Sequence, residues 1–159
     1  MSGNRYFIDT NIALYLLSGD EAIIDLLNEQ DIYISVITEM ELLCYKDLTE
    51  KDIIVIKEFI QSCIVIELNQ MIKEDTIRIK KLNKIKLPDA IIASTSLFLN
   101  IPLITADLVS KILTKYKRLF TIKLKNLTSN RIALSSQNMG VKNWSLGLFS
   151  KIIRPIMSF

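Results

Sequence analysis

At 159 residues, half of them apolar, the chain is long enough for one domain with a sizeable core and needs neither disulfide nor structural metal to hold it. It contains no histidine, which excludes Ser/His/Asp hydrolysis, Cys/His nucleophilic catalysis, histidine-driven RNA cleavage and histidine-ligated zinc or iron. The net charge of +3 hides a division: residues 1–122 carry 14 basic and 17 acidic groups, whereas the segment from Lys123 onward has six basic groups and no acid.

Met1-Ser2-Gly3-Asn4-Arg5 leads into no apolar stretch with a small-residue cleavage site, so a cytoplasmic location is expected. Tyr6-Phe7-Ile8 reads as a short strand, Asp9-Thr10-Asn11 as a turn, and Ile12 to Leu17 as a helix. After the break at Ser18-Gly19-Asp20, Ala22, Ile23, Leu26 and Leu27 recur at helical spacing. Ile32 to Val36 is a second strand feeding a helix from Thr38 to Tyr45, with Met40, Leu43 and Cys44 expected on one side. A helical pattern at Ile53, Ile56, Phe59 and Ile60 precedes a third strand, Ile64-Val65-Ile66. Cys44 and Cys63 have no CxxC spacing and lie in apolar stretches, so both are expected as reduced thiols in the core.

Asn69 is placed to open a long helix containing Ile72, Ile79 and Leu82. Pro88-Asp89 opens another, in which Ala90, Ala93, Ser94 and Ser96 suit close packing against a sheet. Leu103-Ile104-Thr105 is a fourth strand, Asp107 to Tyr116 a helix and Leu119 to Leu124 a fifth strand. The stretch from Ala90 to Ala106 is too often interrupted by polar residues to span a membrane. Alternating strands and helices predict an α/β fold, a three-layer α/β/α sandwich around a mostly parallel sheet of about five strands. It occupies residues 1–126, and residues 127–159 form a basic tail without an assigned role.

In an open parallel sheet, ligands bind beyond the carboxyl ends of the strands, where helix N-termini also point. Asp9 follows the first strand, Glu41 lies in the first turns after the second, Asp89 starts the helix leading into the fourth, and Asp107 lies just beyond that strand. All four are therefore expected at one edge. Carboxylates gathered there repel unless a cation offsets them, and an oxygen-only donor set favours Mg²⁺ or Mn²⁺. Taken singly, Asp9 reads as a helix cap and Asp89 as an acid favoured by a helix dipole. Glu39 competes with Glu41, but residues two apart on a helix face different sides, and Glu41 is preferred while Glu39 is read as solvated or peripheral. Lys80, Lys84 and Lys86 on one flank, with Lys111 and Lys115 on the other, are ordinarily solvated faces; beside an acidic centre they are expected to hold an RNA backbone.

Four stretches together carry a resemblance: Phe7-Ile8-Asp9-Thr10-Asn11, Ser35 to Leu42, Leu87 to Ala93 and Leu103-Ile104-Thr105-Ala106-Asp107. In their order the chain resembles the PIN-domain family, and within it the VapC-type toxins of bacterial toxin–antitoxin pairs, to about residue 124. The resemblance implies a metal-dependent endoribonuclease with Asp9, Glu41, Asp89 and Asp107 as catalytic and metal-binding acids. It implies supporting roles for Thr10, Asn11 and Thr105, a homodimer, and a small antitoxin as partner. Cys44-Tyr45-Lys46 departs from it, standing where a small glycine is often found.

Two other readings stand beside this one. A haloacid-dehalogenase-like phosphatase also uses an aspartate after the first strand, but wants a second Asp two residues on, where this chain has Asn11. A catalytically inactive PIN-like module would keep the fold and an RNA- or protein-binding surface without cleavage.

Overall fold

The structure, a computed structural model, describes residues 4–105 and the backbone of a strand at Ile122–Lys123. In chain order the elements are β1 (Arg5–Ile8), α1 (Thr10–Leu17), α2 (Glu21–Leu27), β2 (Asp31–Ser35), α3 (Val36–Leu43) and α4 (Glu50–Ser62). There follow β3 (Ile64–Ile66), α5 (Gln70–Leu82), α6 (Leu87–Leu99), β4 (Leu103–Thr105) and β5 (Ile122–Lys123). The strands form one parallel sheet in the order β3-β2-β1-β4-β5.

Successive side chains on a strand face opposite ways, and that alternation sorts the core into two layers. Ile8, Ile32, Ile34 and Ile104 face α1, α2, α3 and α4. Phe7 and Leu103, in register with one another, face α5 and α6. Both Phe7 and Ile8 are completely buried, as expected for a central parallel strand covered on both sides. The expected three-layer α/β/α architecture is thus the observed one.

The small residues of α6 work as their composition suggested. Ala90 and Ala93 let the helix close on Phe7 and Leu103. Ser94 meets Thr76 of α5 at 2.6 Å, so the buried hydroxyls satisfy each other. Asn69 caps α5 by accepting the Ile72 N–H at 2.9 Å. Of the apolar series on that helix, Ile72 and Ile79 are buried, but Leu82 at its last position is exposed.

Two expectations fail in α3. The helix starts at Val36, earlier than predicted, because Ser35 ends β2 and immediately accepts the Ile37 N–H. Thr38 and Leu42 consequently take the buried positions, and Met40 turns outward. Cys44, just past the helix, is exposed, and Cys63 is only partly buried, so neither thiol is a full core residue.

Asp107, Lys111 and Lys115, the expected helix from Asp107 to Tyr116 and the tail from residue 127 lie outside the described residues. Among the described residues no helix is long and apolar enough to cross a membrane.

Candidate functional site

The connection pattern determines where a site can form. From β1 the chain moves outward to β2 and β3, then returns across the sheet through α5 and α6 to place β4 on the other side of β1. Between β1 and β4 the direction of winding reverses, which opens a crevice at their carboxyl ends. Asp9 is the first residue beyond β1, and Thr105 is the last of β4.

Asp9 is only 5% exposed. It is the N-cap of α1, accepting the Ile12 N–H on Oδ1 at 2.8 Å. The bland reading of this residue as a cap is therefore correct as structure, and its place at the crevice gives it a second possible duty. A carboxylate this deep is tolerated because it faces the positive end of a helix and a backbone donor.

Glu41 comes to the same place from α3. Its Oε2 accepts a short hydrogen bond from the Thr10 hydroxyl, which also reaches the buried Thr38 hydroxyl at 3.3 Å. Asp89 arrives from the opposite layer, in the first turn of α6 after Pro88, where no side chain caps the helix. Asp9, Glu41 and Asp89 line a single cleft of about 740 Å³, together with Thr10 and Asn11. Glu39 is not on its wall. Thr105 is fully buried at the end of β4.

Lys84 and Lys86 enter the same cleft from the connection between α5 and α6, whereas Lys80 does not line it. Among the described residues neither lysine is ion-paired; the single salt bridge there joins Arg78 to Asp75, far along α5. Also among the described residues, no three Asp, Glu or Cys side chains close into a group able to hold a metal ion.

A family model for the PIN domain matches residues 6–111. The chain belongs to the PIN-domain family. Solved structures similar to this PIN domain include a toxin–antitoxin complex from Klebsiella pneumoniae, at 27% identity and a TM-score of 0.57, over 73% of this chain and 96% of that one. VapBC-1 from nontypeable Haemophilus influenzae is similar at 26% identity and a TM-score of 0.60, over 75% and 97% of the two chains. A DNA-bound VapBC from Salmonella typhimurium shares the fold at 23% identity and a TM-score of 0.57, over 76% and 96%. No curated protein sequence matches the chain. The resemblance to the VapC type read from the four sequence stretches is thus borne out, and the phosphatase fold is set aside.

The lining of this PIN domain's cleft also includes residues that were not predicted as site residues, among them the apolar Leu14, Ile85, Pro88 and Ile92. Cys44, Tyr45 and Lys46, noted in the sequence only as a departure from the family pattern, all stand on the wall. Their only signal was nearness in sequence: all three come shortly after Glu41, at and just past the end of α3.

Proposed function

We propose that the chain is a Mg²⁺- or Mn²⁺-dependent endoribonuclease that hydrolyses RNA phosphodiester bonds and acts as the toxin of a toxin–antitoxin pair. The observation that carries this reading is the convergence of Asp9, Glu41 and Asp89, from three separate parts of the chain, on one cleft at the β1–β4 crevice. Nothing in packing requires three carboxylates on one concave wall, and their mutual repulsion opposes it unless a cation is held there. Asp107 is the fourth acid of the proposed set, and Thr10, Asn11 and Thr105 support it.

The donor set suits a hard cation: oxygen ligands and no imidazole. Such an ion would be held by carboxylates among Asp9, Glu41 and Asp89. When bound, the cation offsets the developing negative charge at the scissile phosphate and makes water a better nucleophile. The chain's own groups do the rest. Asp9 is held in place by the Ile12 N–H, and Thr10 orients Glu41. Lys84 and Lys86, and in this reading Lys80, Lys111 and Lys115 with them, hold the RNA backbone that the acids alone would repel.

The similar solved structures are toxin–antitoxin assemblies. A cognate antitoxin protein is accordingly proposed for this chain, and a homodimer is proposed on the sequence resemblance alone. The deciding experiment is cleavage of a structured RNA panel by antitoxin-free protein, with and without Mg²⁺ or Mn²⁺. Cleavage should require the metal and fall by at least about a hundred-fold in Asp9→Asn and Asp89→Asn variants that still fold. Metal-independent cleavage, or full activity in both variants, would overturn the assignment. Tight RNA binding without cleavage under any condition would identify the inactive module instead.

A further inference from the structure

Tyr45 and Lys46 follow α3 directly and stand on the cleft wall beside Glu41. Tyr45 is partly exposed and Lys46 is exposed. Lys84 and Lys86 line the same cleft from the α5–α6 connection, and among the described residues none of these three lysines pairs with an acid. The wall therefore joins three kinds of group: carboxylates, an aromatic side chain and lysines that, among the described residues, have no acid partner.

That set matches the repeating chemistry of one nucleotide. A phosphate seeks the cations, and an unpaired base presents a flat face that stacks on an aromatic side chain with little regard for base identity. A cleft of about 740 Å³ lies within the range of small-ligand sites and admits a short piece of one strand. A base-paired duplex keeps its faces stacked on neighbouring pairs and offers none to Tyr45. We infer that Tyr45 is a base-stacking platform and Lys46 its phosphate contact, so that the cleft selects an unpaired nucleotide next to the bond to be cut. This rests on the ribonuclease reading for the identity of the ligand as RNA, but it concerns recognition and has its own readout.

The test uses the full chain and a short, fluorescently labelled, 2′-O-methylated RNA of mixed sequence, which binds without being cut. Three probes share that sequence: the single strand, its duplex and an abasic version retaining only the backbone. Tyr45→Ala should weaken single-strand binding by about five-fold or more, Tyr45→Phe should retain it, and Tyr45→Leu, which keeps apolar bulk without the π face, should behave like the alanine variant. The abasic strand should bind wild type and Tyr45→Ala alike. Lys46→Ala should weaken both strands and flatten the dependence of binding on salt. On a cleavable strand, loss of Tyr45 should raise KM more than it lowers kcat.

Equal single-strand affinity for wild type and Tyr45→Ala would overturn the inference while leaving metal-dependent cleavage standing. So would duplex binding as tight as single-strand binding, or leucine substituting fully for tyrosine. Tyr45-dependent binding in a protein that never cleaves would support the platform and remove the nuclease. Failure of wild type to bind any probe would remove both.

Discussion

Thr10 begins α1 directly after the Asp9 cap, and its hydroxyl donates to Glu41, 31 positions further along the chain. A carboxylate held by a fixed donor loses rotamer freedom and keeps its remaining acceptor capacity turned toward the cleft. Thr10→Val removes the donor and keeps the shape, so kcat for RNA cleavage should fall about ten-fold or more with little change in melting temperature. An unchanged rate would detach Thr10 from Glu41's function. The cysteines divide at the same scale. Desolvation where the part-buried Cys63 packs against the core pushes its thiol up to about 12 from 9.0, with a hydrogen bond from Ser62 acting against it, whereas Cys44 is exposed. Maleimide labelling of the native protein should modify Cys44 and spare Cys63 until unfolding. Because the fold retains the Cys63 proton that the unfolded chain releases near pH 9, the fold binds more protons above that pH. The resulting stabilisation is complete below about pH 9 and is lost as pH rises toward 12. The urea midpoint of wild type should therefore decline more steeply with alkaline pH than that of Cys63→Ala; parallel declines would refute the linkage.

At the scale of elements, most of what the sequence announced came from caps and from runs of apolar residues. β3 and β4 fall where the expected strands lay, at Ile64–Ile66 and Leu103–Thr105. Asn69 opens α5 as its type and position suggested, and Asn69→Ala should cost about 1 kcal/mol in urea unfolding, with Asn69→Asp largely restoring it. A neutral alanine variant would mean that α5 is held by its packing on α6 alone. α3 was misread for a local reason. Its short apolar stretch fits two helical phases, and the Ser35 cap starts the helix early enough to bury Thr38 and Leu42 and expose Met40. Tyr45 lies past the end of that helix, on the cleft that Glu41 also lines.

At the scale of the molecule, the reversal of winding between β1 and β4 makes the crevice and gathers acids from both helical layers around it. If the cleft holds a cation, Mg²⁺ or Mn²⁺ should stabilise the folded protein, by about 2.7 kcal/mol at a hundred times the dissociation constant. The melting temperature of wild type should rise with added metal and that of Asp9→Asn should not; equal rises would place the cation elsewhere. The sequence by itself determined the alternation of strands and helices, their two-sided burial and the candidacy of Asp9, Glu41 and Asp89, because periodicity, caps and the rule of carboxyl-terminal ligand sites are local or nearly so. Only the tertiary structure decided the strand order, the exposure of Cys44 and the presence of Tyr45 and Lys46 on the same cleft as the acids. Those depend on how separate elements dock and on the rotational phase of each helix, and phase is set by packing partners that lie far away along the chain.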